Sequence, residues 1–183
     1  MGIALKYVKD KGAGGGGGGN PPTQQSLLPI EKDFYNRLQL MVIFSGNSSG
    51  LQSPLKAKLE SLVRKSASGV NEEFTELAPE FKYIYMNEAY VGDAETFGFD
   101  TLAASKCRLF KVIRISFRVC SVTEQAAFLA FHFTSEYISQ DGNLWREDGE
   151  CVQTWQFIQN SWSLLGQFID GVQMELQGRI LPS

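Results

Sequence analysis

Histidine is almost absent from this chain: His132 stands alone. One imidazole cannot complete a zinc site in any recognisable spacing. It lies between Phe131 and Phe133, where a histidine reads as a core or boundary residue rather than a general base. Cysteine is scarce too. Cys107, Cys120 and Cys151 form no close pair, which excludes a disulfide framework and favours reduced, buried thiols in a cytosolic setting. No stretch reaches the roughly 18 apolar residues that span a bilayer. The N-terminus has no apolar run of the secretory kind, which argues against secretion. Gly2 opens a myristoylation pattern, but Lys6 stands where that pattern needs Ser or Thr. No nucleophile elbow, P-loop or dinucleotide fingerprint follows a strand. The sequence therefore predicts no catalytic residue, no metal ligand and no cofactor.

What is present begins with an unusual N-terminus. Lys6, Lys9 and Lys11 precede a tract from Gly12 to Gly19 broken only by Ala13, and Pro21 and Pro22 come next. Six successive glycines have maximal backbone freedom to lose and nothing to bury. The proline pair extends the chain beyond them. Residues 1–31 read as a disordered, weakly basic Gly/Pro-rich arm. Residues 32–183 read as one domain, and the 43% hydrophobic and 12% aromatic content of the whole chain suits a packed core. The net charge of −3 means that any polyanion contact must come from a local patch.

Within the domain, Phe34 to Phe44 alternates as a strand. Ser53-Pro54 starts a helix that runs to about Ser68 with Leu55, Leu59, Leu62 and Val63 as its apolar stripe. A short acidic helix is expected over 71–78, an aromatic strand over 81–86 and an irregular connection over 87–105. The clearest strand is Cys107–Val122. Thr123 then caps a helix over 124–133, with continuation of the strand as the alternative. Gln140-Asp-Gly-Asn143 is a turn, and Glu147-Asp-Gly-Glu150 reads as a solvated acidic loop. Trp155, Ile158, Trp162, Leu165, Ile169, Val172 and Leu176 recur at alternating three- and four-residue steps, the stripe of a final helix. These elements predict an α+β domain: a small, mostly antiparallel sheet with packed helices.

The charge pattern supplies the candidate site. Lys106, Arg108, Lys111, Arg114 and Arg118 place five positive charges in thirteen residues without an acid, and Arg108, Arg114 and Arg118, at spacings of six and four, fall on one strand face. Lys56, Lys58, Arg64 and Lys65 decorate the first helix. Together they could form a phosphate-binding surface or a solvated face that guards a sheet edge. Tyr35-Asn-Arg-Leu38 has the form read by sorting factors, but accidental occurrence at a strand start is the better account of it.

The order of a lysine-bearing N-terminus, a proline pair, the strand Phe34–Phe44, the basic helix Pro54–Ser68 and the strand Cys107–Val122 running into an Ala- and Phe-rich segment resembles the matrix proteins of rhabdoviruses, in a plant-infecting branch. That resemblance implies a non-enzymatic structural protein of the virion. It would self-associate, condense the viral nucleocapsid through its nucleoprotein and bridge it to the inner, anionic face of the envelope. It would also occur in host cytoplasm and at inner membrane surfaces, with possible recruitment of host sorting factors. Lys6, Lys9 and Lys11 would form the membrane or self-association arm, and Lys56, Lys58, Arg64 and Lys65 would belong to the basic surface facing lipid or nucleocapsid. Two departures stand out: the chain is acidic overall, and Pro21-Pro22-Thr23-Gln24 occupies the region of the P-P-x-Y motif. The competing reading is a cellular α+β adaptor or ligand-binding module that recognises a protein or small molecule.

Overall fold

Alternation of inward and outward residues governs the second half of the chain. A computed structural model describes residues 40–68, 72–86 and 90–179. The arm and its three lysines lie outside the described residues, as does most of the first expected strand. The elements in order are β1 (Met41–Gly46), α1 (Ser53–Ser68), β2 (Leu77–Tyr85), β3 (Tyr90–Asp93), α2 (Ala94–Lys106), β4 (Arg108–Val122), β5 (Ala126–Ser139), β6 (Asn143–Ile158) and β7 (Ser161–Arg179). All seven strands join one sheet in the order β1-β4-β5-β6-β7-β2-β3. The β1–β4 and β7–β2 pairs are parallel, and the other four are antiparallel. The expected small, mostly antiparallel sheet surrounded by helices is thus corrected to a large mixed sheet that carries only two helices among the described residues.

Both helices bury their apolar sides in the core formed with one face of the sheet, here called the inner face. From α1, Leu55, Leu59, Leu62 and Val63 are fully buried, as the sequence stripe required. From α2, Phe97 meets the rings of Phe74, Phe81 and Tyr83 edge-on at 5.3, 5.3 and 5.4 Å. The sheet contributes Ile113, Ile115 and Phe117 from β4, Phe131 and Phe133 from β5, and Trp155 from β6. Burial at roughly 25 cal/mol per Å² of apolar surface makes this cluster the main stabilising contribution.

The acidic helix expected over 71–78 is not formed: residues 72–76 are non-helical and Leu77 opens strand β2. Three further expected elements differ. Helix α2 occupies the segment expected as an irregular connection, where Gly98 and small residues weaken the helical pattern. A capping box starts it nonetheless: Asp93 accepts from the Thr96 amide at 3.1 Å, and the Thr96 hydroxyl accepts from the Asp93 amide at 2.8 Å. The expected helix over 124–133 is strand β5, in which Ala127, Leu129, Phe131 and Phe133 all point inward. The expected C-terminal helix is the β6–β7 hairpin. Gln159 and Asn160 take φ of 51° and 61°, the left-handed pair that a two-residue hairpin turn needs. Its apparent heptad spacing arises from an extra residue, Leu165, which lets Trp162 and Leu164 point inward together with Ile169.

Gly149 is fixed by packing. A Cβ there would stand 2.5 Å from Cζ of Phe133 and 3.1 Å from Cγ2 of Val172. Gly149→Ala is predicted to destabilise the protein by about 1–3 kcal/mol, through overpacking against a ring that has no free space. A urea unfolding midpoint equal to the wild type's would contradict that packing.

Candidate functional site on the inner face

Strand β4 departs from regular alternation twice. Between Phe110 and Val112, and again between Phe117 and Val119, β4 advances two residues while β5 advances one. Lys111 and Arg118 are the extra residues, and each reverses the parity of the positions beyond it. Arg108 and Phe110 therefore point inward, Ile113 to Phe117 keep odd positions inward, and Arg114 and Arg118 lie on the outer face.

Arg108 thus enters the interior. Its guanidinium carbon sits 4.6 Å from the centre of the Tyr137 ring, and its Nη1 lies 3.4 Å from Oε2 of Glu147. Phe110 packs on the same tyrosine at 5.4 Å. Glu147 stands directly across from Ser135 in the β5–β6 register. Both residues are fully buried. Oε1 of Glu147 and Oγ of Ser135 have no hydrogen-bond partner. Burial, only partly offset by Arg108 and reinforced by neighbouring Asp148, raises the Glu147 carboxyl to about 7. Burial likewise pushes the Tyr137 phenol up to about 12, so it stays protonated as a donor. On β6 and β7, Trp145, Met174 and Leu176 occupy the inner side of the same end, where Met174 and Leu176 are about half exposed. The result is a buried carboxyl and hydroxyl beside an apolar lip. Two surface grooves, of about 450 and 440 Å³, lie elsewhere, one along the outer side of α1 and one between Pro54 and Trp162.

The predicted basic residues do not converge. On α1, Lys56 lies over the Phe44 ring at 5.7 Å. Lys58 is half-buried. Arg64 pairs with Glu60 at 2.8 Å and donates to the Leu40 carbonyl at 3.0 Å. Lys65 binds the buried Glu76 at 3.0 Å. Lys106 is exposed at the end of α2, and Lys111 occupies a bulge. On the outer face Arg114 meets Glu136 at 2.9 Å and Arg118 meets Glu150 at 2.6 Å. The shared face expected for Arg108, Arg114 and Arg118 is therefore corrected by the Lys111 bulge. His132 lies on the outer face, 3.1 Å from Glu150 and 3.4 Å from Asp148.

Sequence reasoning missed Glu147, Ser135 and Tyr137. The acidic stretch has the composition of a solvated loop. The signal that would have found it is the inward alternation Trp145, Glu147, Gly149, Cys151, Gln153, Trp155, which places one acid in an otherwise buried row.

No family model and no curated protein matches the sequence. Solved structures do match the fold. A conserved protein from Planctomyces limnophilus aligns with a TM-score of 0.59 at 9% identity, over 67% of this chain and 95% of that one. A ketosteroid isomerase-like protein from Erwinia carotovora atroseptica aligns at 0.53 with 6% identity, over 64% and 92%. An NTF2-like protein of unknown function from Prochlorococcus marinus aligns at 0.50 with 18% identity, over 67% and 95%. These are cellular proteins, and the resemblance to rhabdovirus matrix proteins is corrected by them, together with the virion setting it implied.

Two stability measurements probe the buried pair. Removing an unpartnered buried hydroxyl relieves a desolvation cost of about 1–3 kcal/mol, so Ser135→Ala is predicted to raise Tm, and a lowered Tm would place a partner on Oγ. The folded carboxyl of Glu147 binds its proton more tightly than the unfolded one. Its contribution to stability is complete below about pH 4.5 and is lost as pH rises through about 7. Thermal melts should accordingly show wild-type stability falling over that window relative to Glu147→Gln, by up to about 3 kcal/mol. Parallel pH profiles would refute the shifted carboxyl.

What the chain shares with these solved structures is the fold, an NTF2-like one.

Proposed function

We propose that the chain is a ligand-binding module that seats a small, largely apolar, oxygen-bearing molecule at the Arg108–Ser135–Tyr137–Glu147 end of the inner face. The observation that carries this reading is the pair of orphaned atoms, Glu147 Oε1 and Ser135 Oγ, lying in register on adjacent strands. A buried polar atom without a partner is costly, and native proteins retain few of them. A carbonyl or hydroxyl oxygen from a ligand would satisfy both: a protonated Glu147 donates, and the Ser135 hydroxyl donates or accepts. The apolar body would rest against Trp145, Met174 and Leu176, which form the route of entry. Arg108 is already held by Tyr137 and Glu147, so it orients the carboxyl rather than binding an anion of its own. Binding without turnover is the reading favoured here.

A second reading draws on the same carboxyl. A group that titrates near neutral pH suits proton transfer at a carbon beside a carbonyl, and one similar structure is described as ketosteroid isomerase-like.

Thermal-shift and tryptophan-fluorescence titrations with a panel of steroid ketones and long-chain alcohols test both. The binding reading expects a saturable rise in Tm for at least one compound, with affinity reduced by about 10-fold or more in Glu147→Leu and Ser135→Ala. No response across the panel, or equal affinity in both variants, would defeat it. Turnover of an unconjugated steroid ketone that vanishes in Glu147→Gln would replace it with the second.

A further inference from the structure

Strand β1 closes one end of the sheet, and among the described residues nothing pairs with its second edge. One hydrogen bond fixes which backbone groups face that edge. The Asn47 amide donates to the Phe117 carbonyl at 2.8 Å, in the register that sets Gly46 beside Phe117. The N–H and C=O of a residue leave a strand on the same side, and that side alternates along the chain. Met41, Ile43 and Ser45 therefore serve β4, while Leu40, Val42, Phe44 and Gly46 turn their backbone groups away from it. The fold closes both ends of this row. Arg64 donates to the Leu40 carbonyl at 3.0 Å, and the Ser48 amide donates to the Gly46 carbonyl at 2.9 Å. Between them, the amides and carbonyls of Val42 and Phe44 have no partner among the described residues. Edge strands are ordinarily protected by shortness, a bulge, a proline or an inserted charge. At the far end of the sheet, β3 has only four residues. Strand β1 instead carries the run Met-Val-Ile-Phe on a ladder without irregularity, with Met41 54% and Ile43 40% exposed.

We infer that this edge takes up an extended segment of another protein as an additional strand, one in which acidic and apolar residues alternate. Main-chain bonds to Val42 and Phe44 supply the attachment, as in other strand additions. Charge selects the occupant. On the side facing α1, Lys56 lies over the Phe44 ring at 5.7 Å and Arg64 reaches Leu40. Lys111 adjoins Val112, the register partner of Met41, and Arg114 is the register partner of Ile43. The carboxylates that meet these cations are Glu60 and Glu136, already engaged by Arg64 at 2.8 Å and Arg114 at 2.9 Å. Among the described residues Lys56 and Lys111 form no ion pair. The margin of β1 is therefore cationic. Its two sides also differ: an added strand would meet Lys56 on the α1 side, and Met41 and Ile43 on the other. Successive side chains of a strand go to opposite sides, so acids suit the first set of positions and apolar residues the second. None of these residues belongs to the Arg108–Ser135–Tyr137–Glu147 cluster, and the two readings stand or fall separately.

The probe is a fluorescein-labelled octapeptide of alternating Glu and Val, titrated with the full chain at low salt and followed by fluorescence anisotropy. The expected result is saturable binding with a Kd below about 1 mM. An isomer in which Glu-Glu and Val-Val pairs alternate, and a peptide of alternating Lys and Val, should each bind about 10-fold more weakly or worse. Val42→Pro removes an amide that faces away from β4, a place where an edge strand tolerates proline. Circular dichroism should show that variant folded, with affinity reduced by about 10-fold or more. Lys56→Glu should weaken binding by about 5-fold, and it stays informative if Val42→Pro unfolds. Absence of binding overturns the inference, as does unchanged affinity in either folded variant or equal affinity for the three peptides. Protection of the Val42 and Phe44 amides from hydrogen exchange in the free protein also overturns it, because the chain itself then occupies the edge. Self-association of the full chain that Val42→Pro abolishes does the same, by making a second copy the occupant.

Discussion

The parity of strand β4 is the constraint on which the rest of the arrangement depends. A strand sends successive side chains to opposite faces, so one extra residue exchanges the faces of everything beyond it. Without the Lys111 irregularity, Arg108 would project outward beside Arg114, and Phe110 would leave Tyr137. With it, a guanidinium is drawn into the interior, where it holds Tyr137 by ring contact and Glu147 by charge. The second irregularity, at Arg118, restores the parity and brings Cys120 inward opposite Leu129. Only the segment between the two bulges keeps the odd alternation of Ile113, Ile115 and Phe117.

Polar groups on the inner face are treated in two contrasting ways. Toward the hairpin turn of β6 and β7, Gln153 donates to Gln167 at 2.8 Å and accepts from the Trp155 indole at 3.0 Å, a fully buried network in which the atoms find partners within the fold. Beneath α1, Glu76 is buried but satisfied by Lys65 and by the Ser61 hydroxyl at 2.6 Å. Against that background the Ser135–Glu147 pair is an exception. Among the described residues the other buried side-chain polar atoms find partners, while two oxygens at one place do not, and that place adjoins the exposed Met174 and Leu176. Low dielectric makes both facts matter: a satisfied network rigidifies the core, and an unsatisfied pair is strongly drawn to any group that completes it. The raised carboxyl of Glu147 has its origin in the same environment, since burial outweighs a single cation held at 3.4 Å.

The sequence was readable where local rules and tertiary packing agreed. Helix α1 begins at Ser53-Pro54 and buries the stripe its spacing announced, and β4 has nearly the bounds its apolar run suggested. It was unreadable where one pattern serves two periods. Trp155, Trp162 and Ile169 satisfy a heptad and also fit strand positions once Leu165 is looped out, and only the left-handed pair Gln159–Asn160 separates the two. Ala127 to Phe133 fits a short helix or a strand, and long-range pairing with both β4 and β6 decides it. The site was hidden for a different reason. Glu147 sits in an acidic stretch that composition assigns to solvent, and its burial arises from residues of β4 and β5 far away in the sequence. The basic residues that composition brought forward are instead distributed over α1, the sheet interior and the outer face, where most meet an acid.

Strand β6 links the two faces physically. Glu147 and Val152 belong to one sixteen-residue strand, one pointing into the interior and the other out. A rigid scaffold is what an unsatisfied polar pair needs if it is to discriminate between ligands. A mobile one would let Ser135 and Glu147 relax toward each other and lose the unfilled geometry. The outer face and the inner cluster are therefore separable in composition yet carried by the same paired strands, whose ladders fix Ser135 opposite Glu147.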